Sequence, residues 1–550
     1  MKKTLSIVSI FLCLVFTLSF VTACNNDNEG NAIKDWESNE WVTPDSALYR
    51  DYYQIFVYSY CDSNGDGIGD LKGIESKLDY IADLGFTGIW LSPIHPSSTE
   101  HCYDVEDYYN VNSKFGTMQD FDDLVAAAHE RGISIMLDLV INHTSNKHPW
   151  FLASQQAWKS KNTANKYYDY YTFLNDSGTN YKTFEKESSM PKLNLESAGV
   201  RAEIDDICKF WLQGHDVDAF RLDAAWHFYE KNVQENIAFM RWLTSTAQQY
   251  NPDVYMVGEV WTAAATVYSH YATDSVQSFF NFDLSAAPGY NSMMKIINVG
   301  QEDRASRIAS ILTYKEKSTA NGIDALFASN HDTSRISNMI SYLDRMGIPD
   351  DTKMELHKMS VALLYTQTGN VFNYYGNEIG MRNGYRKSVS SDYTDYTYRT
   401  AMYWGLDAAL EYNDGFAHKA YGYSTRFGEY DDYLGGVAEQ KDDQNSLLNF
   451  YRRVMWLRRQ NPEIAQGKST FIATDDSDLL VIVREYKGSK ILMVYNLNAS
   501  SEKTFNVSDI LKKYGMEGKL AGFLSSNNDR DVTMSGNTVT LPQFSIAVIR

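Results

Sequence analysis

From Tyr53 to about Glu378, eight short runs rich in β-branched and aromatic residues alternate with stretches of helical periodicity. The alternation predicts an α/β fold, a closed (β/α)8 TIM barrel. Two departures complete the outline. Residues 142–216 form too long a stretch for a loop and predict an inserted subdomain after strand 3. After Pro462, alternating segments separated by turn residues predict a C-terminal antiparallel β-sandwich.

Taken in order, the chain opens on Met1-Lys2-Lys3, an apolar run from Leu5 to Phe20, and Val21-Thr22-Ala23-Cys24. A basic start, an apolar stretch and small residues before a cysteine resemble a bacterial lipoprotein signal covering 1–23, with Cys24 as the lipidated residue. An uncleaved membrane anchor is the alternative. Residues 24–44 read as a flexible tether, so the expectation is an exported lipoprotein held on the extracytoplasmic side of a membrane. Cys61, Cys102 and Cys208 are then the cysteines left besides Cys24, and an odd number gives no disulfide framework.

The barrel is expected over 45–141 and 217–462, and the sandwich over 463–550. Expected strands are Gln54–Tyr58, Gly88–Pro93, Ser134–Ile141, Val217–Leu222, Tyr255–Val260, Ser278–Phe282, Ala325–Ser329 and Asn370–Tyr374. Leu71, Ile74, Leu78, Ile81 and Leu84 recur at helical spacing before Gly85. Phe121, Leu124, Val125 and Ala128 do so before Gly132, and Ile204, Ile207 and Trp211 before Gly214. In the last region, Leu479–Tyr486, Lys490–Tyr495 and Phe544–Ile549 are expected strands.

Composition excludes several roles. With 44% hydrophobic and 14% aromatic residues the chain is not disordered. Lys and Arg number 50 against 70 Asp and Glu, a net charge of −20, and no basic cluster appears, so nucleic acid is not an expected partner.

Chemistry-bearing residues collect where the barrel strands end, which is where barrel enzymes build their sites. Strand 3 ends in Asp138 and Asn142-His143, strand 4 in Arg221-Leu222-Asp223, strand 5 in Glu259-Val260-Trp261, and strand 7 in Asn330-His331-Asp332. The loop after strand 2 carries His101-Cys102-Tyr103-Asp104. A lone charge at a strand end is commonly a structural ion pair. Several carboxylates, an arginine and two histidines on one rim are costly to assemble unless they are used. Cleaving a glycosidic bond needs one ionised and one protonated carboxyl. Arg221 lies two residues before Asp223 on the same strand face, so the cation should keep Asp223 ionised. Glu259 stands among apolar neighbours, which suits a general acid. Asp332 is a third carboxylate, His143 and His331 supply hydrogen-bond donors, and Tyr103 offers a stacking face.

The stretches DLVINH, FRLDAAWH, GEVW and SNHD, in this order, resemble the four signature segments of the α-amylase family of glycoside hydrolases (family 13). The resemblance implies Asp223 as nucleophile, Glu259 as acid/base and Asp332 as transition-state stabiliser. It implies Arg221, His143, His331, Tyr103 and Asp104 as ligands of the sugar at the cleavage point, and retention of configuration with the working carboxyls ~5 Å apart. Cys102 stands where the family usually has Gly, and Lys192 where Asp is common. Ala224 after the nucleophile and Met190 lean toward α-1,4 bonds, hence starch and maltooligosaccharides as substrate. Tyr398–Trp404 is similar to the oligo-1,6-glucosidase branch and brings in Arg399 as a substrate contact. The alternatives are oligo-1,6-glucosidase, neopullulanase-like or 4-α-glucanotransferase activity and, from another class, a non-catalytic starch-binding protein. A monomer is expected, touching the membrane only through its lipid.

Asp62, Asn64, Asp66, the carbonyl of Ile68, and Asp70 place oxygen donors at alternate positions in a glycine-rich loop, a donor set for Ca2+. Gly73 stands where an EF-hand would have its bidentate Glu, so this is not an EF-hand. An ordinary Asp/Asn/Gly turn is the other reading; the loop also resembles the calcium loop of many family members.

Overall fold

The structure, a computed structural model, describes residues 41–285, 303–338, 349–384, 397–405, 434–527 and 529–550. The signal segment, Cys24 and most of the tether lie outside these residues.

Eight parallel strands close into a barrel in sequence order: β1 (Tyr52–Ile55), β2 (Gly88–Leu91), β3 (Ser134–Leu139), β4 (Ala219–Leu222), β5 (Tyr255–Gly258), β6 (Ser278–Phe280), β7 (Ile323–Phe327) and β8 (Asn370–Tyr374). β8 returns to β1 with Tyr52 opposite Phe372. The interior is filled by Tyr52, Trp90, Met136, Tyr255, Phe280, Phe327 and Phe372. Tyr52 stacks on Phe372 and Trp90 on Phe280, with ring centroids 4.9 and 5.2 Å apart. The barrel is therefore a packed core that leaves no channel along its axis among these side chains. Most strands end before the expected limit. The apolar runs continue past the ladder because the residues above it, such as Val140 and Ile141 after β3, are buried by the rim loops rather than paired in the sheet.

The helical periodicities locate buried faces. Phe121, Leu124, Val125 and Ala128 face inward on helix Met118–Glu130, which starts in a capping box formed by Thr117 and Asp120. Ile204, Ile207 and Trp211 are buried on Ala198–Cys208 and the π-turn Lys209–Gln213 leading into β4. The stretch expected as one helix from Leu71 to Leu84 is two, Leu71–Glu75 and Leu78–Asp83, with the apolar spacing carried across the break. Between β3 and Ala198 the chain forms helix Pro149–Lys159 and isolated bridges, including His143–Lys192 and Tyr171–Leu193, packed through Trp150, Phe151, Tyr170 and Tyr171.

The C-terminal strands make an antiparallel five-stranded sheet, β13-β16-β11-β10-β9, and a three-stranded sheet, β12-β15-β14. Here β9 is Lys468–Ile472, β10 Leu479–Tyr486, β11 Ser489–Asn496, β12 Lys503–Asn506, β13 Leu520–Ser525, β14 Thr533–Ser535, β15 Thr538–Leu541 and β16 Ser545–Ile549. Val481, Val483 and Val494 from one sheet meet Val539 and Leu541 from the other. Arg484 of β10 joins this layer to the barrel, donating to the carbonyls of Thr366 and Ile464, each at 2.6 Å.

Candidate active site

β4 sets the centre of the site. Strand alternation puts Arg221 and Asp223 on one face, and the parallel register puts Asp138 of β3 opposite Arg221. Arg221 is buried and ion-paired to three carboxyls. Its Nη1 is 2.7 Å from Asp138 Oδ1 and 2.7 Å from Asp223 Oδ1, and its Nη2 is 3.0 Å from Glu259 Oε2. Asp223 and Glu259 thus occupy the two amino groups of one guanidinium. Ala224 follows Asp223 in the left-handed region, φ 47° and ψ 37°. This unusual conformation for a residue with a Cβ turns its N–H onto Glu259 Oε2 at 3.0 Å. The turn after the first carboxyl therefore positions the second.

A cavity of about 1020 Å³ opens over this centre, and Tyr103, His143, Asp223, Glu259, Asp332 and Arg399 all line it. Burial pushes the Glu259 carboxyl up to about 8; Arg221 opposes the rise, and the nearby Asp223 and Asp332 add to it. Burial likewise raises Asp138 to about 7, again against the pull of Arg221. For Asp332 burial opposes ionisation, but contact with His331 and the charges of Arg399 and Arg221 hold the carboxyl below its usual value. Arg399 Nη2 sits 2.7 Å from Asp332 Oδ1 and its Nε donates to the His331 carbonyl at 3.0 Å.

His331 is fully buried, and burial drives it down to about 3, so its ring is neutral at pH 7. Gln54 Nε2 lies 2.8 Å from its Nδ1, which assigns the proton to Nε2. That nitrogen is 2.6 Å from the Tyr103 hydroxyl and 3.0 Å from Asp332 Oδ2. The Tyr103 ring stacks on His331, 5.6 Å between centroids and 10° from parallel. His143 stacks on Phe184, and its ring lines the cavity.

Of the expected sugar ligands, Tyr103, His143 and Arg399 line the cavity, Arg221 and His331 lie behind its wall, and Asp104 does not line it either. Its carboxylate accepts from the hydroxyls of Ser97 at 2.5 Å, Ser98 at 3.2 Å and Thr99, so it ties the rim loop together. In the same loop Cys102 has φ 59°, the conformation a glycine would take, so the Cys-for-Gly departure leaves the path of the loop intact. Cys61, Cys102 and Cys208 are free thiols.

Two residues to which the sequence assigns no role belong to this neighbourhood. In the sequence Asp138 is only a strand-end carboxylate, and the register with Arg221 supplies its place. His101 lines the cavity; its Nδ1 accepts the Tyr103 N–H at 3.1 Å. Its position two residues before Tyr103 is the available signal. Trp261, at the cavity edge, is 39% exposed and lies flat on Phe282, 5.0 Å between centroids.

In the glycine-rich loop, Asp62 accepts the N–H groups of Asn64, Gly65 and Gly67, Asn64 accepts that of Asp66, and Asp66 accepts that of Ile68. Asp70 accepts from Ser63 and caps the helix that follows through Gly73 N at 2.7 Å. The loop is curled by its own side chains, with hard oxygen donors at alternate positions. Among the described residues no three His, Cys, Asp or Glu side chains already converge as a metal cage.

A packed parallel barrel whose mouth gathers Asp223, Glu259 and Asp332 around Arg221 defines a barrel glycoside hydrolase. Residues 54–467 match the alpha amylase catalytic domain, and the chain belongs to the α-amylase family. It is 33% identical over 479 residues to Alpha-amylase 3 of Dictyoglomus thermophilum, covering 84% of this chain and 87% of that one. It is 29% identical to an oligo-1,6-glucosidase of Bacillus cereus over 81% and 90% of the two chains. Among solved structures, Eubacterium rectale Amy13B superposes with a TM-score of 0.81 at 33% identity, over 94% of this chain and 98% of that one. The protein is a glycoside hydrolase of the α-amylase type.

Proposed function

We propose that the enzyme hydrolyses α-1,4-glucosidic bonds of starch and maltooligosaccharides with retention, through a covalent glucosyl–Asp223 intermediate. The observation that carries this reading is the sharing of one guanidinium by Asp223 and Glu259. It brings the two carboxyls to one side of the cavity, close enough to act on one linkage. Asp223, held against Arg221, attacks the anomeric carbon. Glu259, protonated at neutral pH, gives its proton to the leaving oxygen, then takes one from water as that water releases the glucosyl group. Asp332, kept ionised, faces the positive charge that develops at the sugar ring. His143 and Tyr103, both on the cavity wall, hold hydroxyls and the ring face, and His331 acts through Tyr103, on which it stacks. Asp104 acts through the rim loop, not on the sugar. Arg399 acts through Asp332 and remains within reach of the substrate.

The linkage preference rests on Ala224 and Met190 and on the relative named as an α-amylase; the relative named as an oligo-1,6-glucosidase keeps the α-1,6 reading in view. Products separate them. Maltooligosaccharides from starch support the proposal, panose from pullulan indicates neopullulanase-like action, and glucose from isomaltose alone overturns it.

Ca2+ is proposed for the loop of Asp62, Asn64, Asp66, Ile68 and Asp70, where hard oxygen donors suit it and its role would be to stiffen the segment that follows β1. The N-terminal segment supports export as a lipoprotein through Cys24; labelling with a palmitate analogue in cells, lost in Cys24→Ser, is the check.

A further inference from the structure

A second cavity, of about 430 Å³, takes no part in the chemistry proposed for the first. The same two segments wall both. From the turn after β4, His227 and Lys231 line the first cavity, and Tyr229 and Asn232 line the second. From the inserted subdomain, Phe184 and Met190 line the first, and Lys182 and Asn194 line the second. The two cavities are therefore neighbours along one cleft between the inserted subdomain and the β4 turn. An ionic bridge joins the walls of that cleft. Lys192 Nζ donates to the His227 carbonyl and lies 3.4 Å from Glu230 Oε1, and Lys182 Nζ lies 3.7 Å from the same oxygen. The Glu230 and Lys182 side chains are 70% and 49% exposed, so the bridge is at the surface and leaves a path over it.

The second cavity has an apolar floor and a polar rim. Leu193, Leu195 and Phe228 are buried beneath it. Lys182, Glu196, Asn232 and Glu235 stand exposed around it. The rim carries both signs of charge, so it favours neither an anion nor a cation over a neutral ligand. A neutral ring with a C–H face and a hydroxyl edge fits it, because the face covers the floor and the hydroxyls meet the donors and acceptors of the rim. The volume lies within the ~300–1,000 Å³ of small-molecule sites. We propose that the second cavity binds a glucosyl unit of the same α-glucan chain whose linkage lies over Asp223 and Glu259. Chains long enough to cross the ionic bridge then gain a hold that shorter ones lack. This rests on the reading of the first cavity as an α-glucan hydrolase site.

The test uses the full chain carrying Glu259→Gln, so that sugars bind without being cleaved, with maltotriose as the short ligand and maltoheptaose as the long one. Titration calorimetry should find maltoheptaose at least ~10-fold tighter than maltotriose. Adding Glu196→Ala together with Glu235→Ala, both at exposed positions where substitution is tolerated, removes two acceptors from the rim. It should cut that ratio by ~5–10-fold. Lys182→Ala, on the inserted subdomain, should cut it independently. A general disturbance of the fold would weaken both sugars together and leave the ratio where it was. Crystals of Glu259→Gln grown with maltoheptaose should show a glucosyl ring in the second cavity. A ratio unmoved in both variants, or crystals with sugar over Asp223 and none in the second cavity, overturns the proposal. The parent enzyme separates the two readings. If it releases no maltooligosaccharides from starch and Glu259→Gln binds neither sugar, the reading of the first cavity fails. If starch is cleaved and maltotriose binds while the ratio stays unmoved, only the role of the second cavity fails.

Discussion

Two buried arginines, one at each end of the barrel, show the difference between structural charge and working charge. At the closed end Arg458 is paired with a single carboxylate, Asp51, at 3.0 Å, and its other N–H groups donate to the carbonyls of Tyr365, Gln367 and Gly369. One positive charge meets one negative charge, and neutral dipoles complete the shell. At the mouth Arg221 meets three carboxyls and, among the described residues, no carbonyl, and its Nε is left without a partner there. One cation cannot balance three ionised carboxyls away from water, so the cluster retains a proton near neutrality. Burial raises both Glu259, to about 8, and Asp138, to about 7, so that proton belongs to the cluster as a whole. The closed end is a balanced staple; the mouth is left with a charge excess that a transferable proton resolves.

The comparison breaks most easily at the proposed nucleophile and acid. Glu259→Gln and Asp223→Asn should each reduce kcat by about 10²–10⁴-fold or more, while circular dichroism and thermal melting report a folded chain. Near-normal turnover in either would remove the contrast between the two ends. At the other end Arg458→Ala leaves Asp51 buried and unpaired. It should cost roughly 3–5 kcal/mol in urea unfolding, with kcat per folded molecule unchanged; a small stability loss would mean that the staple is not needed.

Protonation sharpens the point further. The folded-state value of Glu259 lies above its ordinary 4.5, so the folded protein holds this proton more tightly than the unfolded one. The group's contribution is fully present below pH 4.5 and is lost as pH rises toward 8. Activity should fall on the alkaline side through the same ionisation. Glu259→Gln should therefore be more stable than the parent at pH 8 by a few kcal/mol, since each tenfold difference in proton affinity between the two states is worth about 1.4 kcal/mol, and close to it at about pH 4. Equal melting temperatures at pH 8 would show that the acid carries no burial strain. The smallest effect expected is from chelation. EDTA should lower the melting temperature by a few degrees with little change in kcat at about 25 °C, because a bound ion stabilises only the folded state. An unchanged melt would remove calcium from the loop.

Much of this site is legible in the sequence. Arg221 and Asp223 share a face because strand side chains alternate, and Glu259 and Asp332 follow strand-like runs directly, so their place on one rim needs only the strand count. Asp104 shows where such reading stops. Adjacent to Tyr103 in sequence, it turns its carboxylate to Ser97, Ser98 and Thr99 instead of the cavity, since the left-handed turn at Cys102 sets which side chain faces inward. Arg399 lies in no strand and is tied to the site only by resemblance; its ion pair with Asp332 joins residues 67 positions apart. The helix expected from Leu71 to Leu84 has the right buried face but a break in its middle, because apolar spacing records which side is inside and not whether the hydrogen-bond ladder is continuous.

By itself the sequence determined the alternation of strands and helices, the order of the chemical groups and the ends of strands on which they stand, because side-chain periodicity follows directly from backbone geometry. Only the tertiary structure decided that three carboxyls share one guanidinium and that Ala224 turns left-handed to aim its amide at Glu259. Those facts depend on the register between β3 and β4 and on how deeply each group lies below water, and both are set by the closure of the barrel as a whole.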